Sequence, residues 1–301
     1  MLKKFCSIFL IVFFALSDCY AEEYSKTSIE TLATLSQQED SAAQYYLAKK
    51  YVEKKEYLLA LKWIKKLVSH NDPNGQNYLG DMYQNGYGVK QSYSKAVEWY
   101  LKAAKQGNIE AQDNLGYMYA HGYGVKKSYS EAAKWHLKAA KQGDSNAQHS
   151  LGVEYLYGKG VTKSYKDAVK WFTKSAEQGN TNAQINLGYM YQMGYGVDKS
   201  DIKALKWYHK AAEQGDADAQ YNIGRMYLYR QGIKSYAEAV KWFIKSAEQG
   251  NADAQTNLGY MYEMGYGVEQ SYLKAADLYQ KAAKQGNKIA KQNLKILGEK
   301  E

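Results

Sequence analysis

Residues 111–146 read AQDNLGYMYAHGYGVKKSYSEAAKWHLKAAKQGDSN, and the same pattern returns along most of the chain. Tryptophan marks it most plainly. Trp63, Trp99, Trp135, Trp171, Trp207 and Trp242 are spaced by 36, 36, 36, 36 and 35 residues. Six aromatic residues at one period define a repeat unit, and such a period points to a stacked array. Ala-Gln pairs recur at Ala147-Gln148, Ala183-Gln184, Ala219-Gln220 and Ala254-Gln255, and Gly75-Gln76 opens the first full copy. Six full copies follow, at 75–110, 111–146, 147–182, 183–218, 219–253 and 254–289, the fifth one residue short between its helices. A degenerate copy at 43–74 keeps Ala43-Gln44, Leu47, Ala60 and Trp63 but lacks the Gly-x-Gly-Val turn. Residues 22–42 read as an N-terminal cap segment and 290–301 as a C-terminal capping helix, because the end faces of an array meet water.

Each copy reads as two helices. Ala111, Leu115, Met118 and Tyr119 fall on one helical face. Gly116 is a poor helix former, and its recurrence marks a place where a neighbour comes too close for a side chain. Gly122-Tyr123-Gly124 ends the helix. Ser128 reads as the second helix's N-cap and Glu131 as the other half of a capping box, with Ser235 and Glu238 doing the same. Ser92, Ser164, Ser200 and Ser271 keep the cap. Ala132, Trp135, Ala139 and Ala140 supply the expected buried stripe, and Gly143 terminates. The fold class is therefore all-α, a right-handed superhelix of stacked helix pairs.

The pattern A-x-x-x-L-G-x-x-Y-x-x-G-x-G-V, followed by a capped helix with A-x-x-W/Y-x-x-x-A-A-x-x-G, resembles the Sel1-like repeat, a relative of the tetratricopeptide repeat. Ser stands at every second-helix cap where many Sel1-like repeats have Asp; both cap well. Copy three departs at Tyr157-Gly158-Lys159-Gly160, and copy five has Arg230 in place of the first turn glycine. The resemblance implies a binding scaffold whose first helices line the concave side.

The start of the chain reads as a secretory signal peptide. Lys3 and Lys4 precede an apolar run from Phe5 to Leu16, and Cys19-Tyr20-Ala21 offers small residues for cleavage after Ala21. Leu16-Ser17-Asp18-Cys19 is similar to a lipobox, but Asp18 precedes the cysteine where a small neutral residue is required, which argues against a lipid anchor. No second apolar run follows, so no transmembrane segment is expected. An exported protein of a Gram-negative bacterium, periplasmic or secreted, is the expectation. Cys6 and Cys19 are the two cysteines, so the exported chain would be stabilised by packing alone.

Chemistry is sparse. The five histidines, His70, His121, His136, His149 and His209, fall at different repeat positions and make no metal-ligand set. No nucleotide-binding, hydrolase or metalloprotease motif is present, so neither catalysis nor a cofactor is expected. The competing expectation is a cell-wall enzyme of the β-lactam-interacting kind found among cysteine-rich Sel1-like proteins, whose cysteines this chain lacks. The charge of +9 sits largely in second-helix lysines, such as Lys138, Lys174, Lys210 and Lys245, read as a solvated face partly paired with Glu98, Glu177 and Glu213. That dispersal, with no groove-reading element, argues against nucleic acid.

A partner, protein or extended peptide, is the remaining expectation. Two first-helix columns vary while their neighbours repeat: Asn77, Asp113, His149, Ile185, Tyr221, Thr256, and Asp81, Tyr117, Val153, Tyr189, Arg225, Tyr260. Variation on a fixed frame is what a partner-reading surface shows, and also what unconstrained solvated positions show. Asn114, Asn186, Asn222 and Asn257 form a third column. An amide ladder can grip a peptide backbone or bond the adjoining repeat, and spacing leaves both open. The candidate binding residues are thus Asn114, Tyr117, Asn186, Tyr189, Asn222, Arg225, Asn257 and Tyr260. Tyr83, Tyr119, Tyr191, Tyr227 and Tyr262 read as packing. The oligomeric state is not legible.

Overall fold

A computed structural model describes residues 23–230 and 234–298. The expected signal peptide and both cysteines lie outside these residues. The described residues are helical, without strands. The chain divides into two compact units, Met1–Asp144 and Ser145–Glu301. The first holds α1 (Ile29–Gln37), α2 (Ser41–Glu53), α3 (Tyr57–Ser69), α4 (Pro73–Asn85), α5 (Tyr93–Lys105), α6 (Ile109–His121) and α7 (Tyr129–Lys141). The second holds α8 (Ser145–Tyr157), α9 (Tyr165–Glu177), α10 (Thr181–Met193), α11 (Asp201–Glu213), α12 (Ala217–Tyr229), α13 (Tyr236–Glu248), α14 (Ala252–Met264), α15 (Tyr272–Lys284) and α16 (Lys288–Gly298). Within each unit every helix packs on the next, as a solenoid of helix pairs requires.

Sequence dictates the helix ends. Side chains of Asp72, Asn108, Asn180, Asp216 and Asn251 accept from the N3 amide of their first helices, a cap signal the sequence reading passed over. Ser92, Ser128, Ser164, Ser200, Ser235 and Ser271 cap the second helices as expected. The capping box closes only halfway. Ser128 N–H donates to Tyr119 O and Ser235 N–H to Tyr227 O, so neither is left for the glutamate. Glu131 and Glu238 turn instead to Lys134 and Lys241, each at 2.6 Å. In copy five, Arg230 ends α12 in an extended conformation instead of the left-handed one glycine adopts elsewhere.

The helix pair closes through one contact. A Cβ on Gly116 would lie 2.3 Å from the His136 ring, and Gly80, Gly152, Gly188, Gly224 and Gly259 meet Tyr100, Phe172, Tyr208, Phe243 and Tyr279 in the same way. The residue after Trp99, Trp135, Trp171, Trp207 and Trp242 is therefore the core ring, and in the sixth copy Tyr279 takes that place after Leu278. His136 is 5% exposed, whereas Trp135, placed in the buried stripe by sequence, is half-buried. The other tryptophans are half-buried too, except Trp171, which is buried, and lysines lie over their rings. The Nζ atoms of Lys102, Lys138, Lys174, Lys210 and Lys245 lie 3.8–4.9 Å from the ring centres of Trp99, Trp135, Trp171, Trp207 and Trp242. Among the described residues, Glu98, Glu177 and Glu213 make no ion pair, which corrects the charge pairing expected from sequence.

The Ala-Gln pair joins one copy to the next. Gln184 Nε2 donates to Ala176 O, at the end of the preceding helix, and its Oε1 accepts from Gln214 Nε2 at 2.9 Å. Gln112 does the same with Ala104 O and Gln142, and Gln255 with Ala247 O and Gln285. Each buried amide thus adds a second donor to a helix-end carbonyl that already accepts from a terminal glycine N–H, Gly179 on Ala176 O, Gly107 on Ala104 O and Gly250 on Ala247 O.

Candidate functional site

The three first-helix columns separate by burial. The column from Asn77 to Thr256 is not a solvent face: Asn77 and Thr256 are buried, and Asp113, His149, Ile185 and Tyr221 are half-buried. The asparagine column bonds onto it. Asn114 Nδ2 lies 3.2 Å from Asn77 Oδ1 and 3.4 Å from Asp81 Oδ1. Asn186 Nδ2 lies 3.0 Å from His149 Nε2. Burial lowers the His149 pKa, which keeps its ring neutral and able to accept that bond. Asn257 Nδ2 donates to Asp253 O, and its Oδ1 accepts from Tyr229 Oη at 3.2 Å. Asn222 is half-buried. At Asn114, Asn186 and Asn257 the amide is engaged with the preceding copy or its own helix.

The remaining column reaches solvent. Tyr117, Tyr189 and Tyr260 are 44%, 41% and 38% exposed, and Arg225 is exposed. Asp81 and Val153, at the same position, are half-buried. The tyrosines are held rather than splayed. Tyr195, from the Gly-Tyr-Gly turn, stacks on Tyr165 at 4.7 Å and meets the edge of Tyr189 at 5.9 Å. Tyr266 stacks on Tyr236 at 4.7 Å and meets Tyr260 at 6.0 Å. In the first unit, Tyr123 stacks on Tyr93 at 5.1 Å, with Tyr117 and His121 beside it. Gly196 permits this: a Cβ there would lie 2.5 Å from the Tyr165 carbonyl, and its φ is +71°. The stacked turn tyrosines were missed from sequence, where Gly-Tyr-Gly was read only as a helix stop.

The electrostatics of the exposed column differ along the chain. In the first unit, burial pushes the Asp81 carboxyl up to about 6, opposed by the hydrogen bond from Tyr100 Oη at 2.7 Å and assisted by the charge of Glu110. Nearby, Tyr45, Tyr46, Lys49 and Glu110 line a cleft of about 450 Å³. In the second unit, Arg225 takes the corresponding place, its guanidinium 5.6 Å from the Tyr221 ring centre. Among the described residues no three His, Cys, Asp or Glu side chains gather as a metal site, and no helix is long and apolar enough to cross a membrane.

The Sel1 repeat model matches residues 73–108, 109–144, 145–180, 181–216, 217–251 and 252–287, each interval opening at the first residue of a first helix. The chain belongs to the Sel1 repeat family. A protective antigen present in uropathogenic Escherichia coli strains, displaying an SLR fold, is 38% identical with a TM-score of 0.81, over 89% of this chain and 59% of that one. The chain thus spans under two thirds of that relative. A Sel1 repeat protein from Oxalobacter formigenes is 34% identical with a TM-score of 0.72, over 79% of this chain and 96% of the other. No curated protein sequence matches. The Sel1 array is the tetratricopeptide-like α/α solenoid that the repeat period implied, a fold commonly used as a protein-interaction scaffold.

Proposed function

We propose that this Sel1 repeat protein is an exported, non-catalytic scaffold that holds a protein or peptide partner on the exposed column of its first helices. The observation that carries the reading is the contrast within one helix surface. Two columns are largely spent on packing and on bonds within and between copies, while Tyr117, Tyr189, Arg225 and Tyr260 reach solvent, the three tyrosines beside stacked turn tyrosines. Tyrosine and arginine are the residue types that carry interface energy, and holding them in place lowers the entropy lost on binding. The asparagine column contributes by fixing adjoining first helices in register. The relative described as a protective antigen is consistent with an exported role in host contact or at the envelope.

The test is crosslinking capture from native envelope and host lysate, comparing the wild-type chain with a triple variant, Tyr117→Ala, Tyr189→Ala and Arg225→Ala. A partner lost by the variant, with its helical melt within a few degrees of wild type, is expected. A partner retained by the triple variant would place the interface elsewhere.

A further inference from the structure

The sixth full copy breaks the tryptophan period. Trp63, Trp99, Trp135, Trp171, Trp207 and Trp242 are followed at the same repeat position by Leu278. One copy earlier, the Trp242 ring lies against His209 of the preceding second helix, with ring centres 5.1 Å apart. Lys245, three residues on, lies over that ring at 4.4 Å. Leu278 takes the matching place beside Ile244, the counterpart of His209, and both pack on one core cluster.

Leucine is smaller than indole, and the place is not filled. An apolar groove of about 470 Å³ runs between α13 and α15 over α14, lined by Ile244, Ala247, Leu258, Tyr262, Leu273 and Leu278. Leu273 is 82% exposed. Side chains along such a groove forgo the contacts that a tryptophan supplies in the other copies. Lys281, the counterpart of Lys245, also lines the groove. Among the described residues it lies over no ring, and it pairs instead with Asp277 at 2.7 Å.

The other copies show what fits here: an indole against the preceding second helix, with a lysine over it. We infer that the groove receives a tryptophan side chain from a segment of another protein, and that Lys281 closes over the ring. Tryptophan seated in a pocket is a characteristic anchor of protein interfaces. A second copy of this chain has no tryptophan to give, because Trp171 is buried and the other five are half-buried in their own copies. This contact lies on second helices and is additional to the first-helix column. Lys210 and Lys245 already lie over rings, so the contact belongs to the last full copy.

Fluorine NMR on the full chain tests this with the peptide Gly-Ser-Trp-Ser-Gly carrying fluorotryptophan, competed by the unlabelled peptide or by the same peptide with Leu for Trp. Saturable binding is expected, displaced by the Trp peptide and not by the Leu peptide. Leu278→Trp should weaken binding about tenfold or more, because the chain then fills its own groove, with a melting temperature equal to or above wild type. Adding Trp242→Leu to Leu278→Trp should restore binding by moving the groove one copy back. If that double variant fails to fold, Leu278→Trp decides alone. The triple variant Tyr117→Ala, Tyr189→Ala and Arg225→Ala should bind the peptide as wild type does, so the two surfaces are separable. The inference is overturned by no binding to wild type, by unchanged binding to Leu278→Trp, by a lowered melting temperature in that variant, or by equal competition from the Leu peptide. Loss of peptide binding in the triple variant would assign the peptide to the first-helix column and also overturn it. Sedimentation of wild type as a dimer that Leu278→Trp makes monomeric would give the groove to a second copy instead.

Discussion

Tyr208 Oη lies 3.1 Å from Gln192 Oε1, Tyr100 Oη 3.0 Å from Gln84 Oε1, and Tyr279 Oη 2.8 Å from Glu263 Oε2. Where the core ring is Phe172 or Phe243, the facing position is Leu156 or Leu228 instead. A hydroxyl on the ring thus goes with an acceptor opposite, and its absence with an apolar side chain. Phe243→Tyr alone should cost about 1–3 kcal/mol, since it buries a hydroxyl against Leu228. Leu228→Gln should recover a large part of that cost. A double-mutant cycle in urea checks this, and purely additive costs would refute the pairing. Asp81 gives a pH signature. Its folded pKa of about 6 lies above the ordinary value of 3.8, so its contribution is fully present below that lower value and is lost as pH rises through about 6. The wild-type chain should therefore lose about 1–2 kcal/mol between pH 4 and pH 7 relative to Asp81→Asn, measured by denaturation across that range. These pairings were hidden in the sequence because their partners sit 16 to 19 residues apart on different helices. Only the repeat alignment, read column against column, exposes them.

Helix boundaries were the most legible elements, because caps and terminal glycines act locally. Ser128 accepts from Glu131 N–H at 3.2 Å, as the spacing implied. The reciprocal glutamate bond was wrongly expected because local spacing cannot show that Tyr119 O already occupies Ser128 N–H. Ser128→Ala should therefore cost about 1 kcal/mol and Glu131→Ala less than about 0.5 kcal/mol in urea unfolding. Equal costs would restore the full capping box. Gly116 was read correctly as a close approach, although its partner, the His136 ring, was not named. Trp135 drew attention by its rarity, and rarity was mistaken for burial. A large amphipathic ring at a repeat's edge, covered by Lys138 at 3.8 Å, marks the period as well as a core residue does.

At the scale of the whole molecule, the repeat period decided the fold, because a helix pair that cannot bury its face alone must stack. The surface was half legible. Column variation could not rank the first-helix columns, since a position facing an adjoining copy varies with that copy just as a solvent position varies with a partner. Burial separates them: the column of Asn77 and His149 turns inward, and the column of Tyr189, Arg225 and Tyr260 turns outward. The central claim is that partners meet this outward column and not the lysine-covered tryptophans of the second helices. Site-specific photocrosslinking tests it most directly, with benzoylphenylalanine placed singly at Tyr189, Arg225 and Tyr260, and at Lys210 and Lys245. The account predicts partner adducts from the first three positions and none from the last two. Adducts from Lys210 and Lys245, with none from the first-helix column, would contradict it.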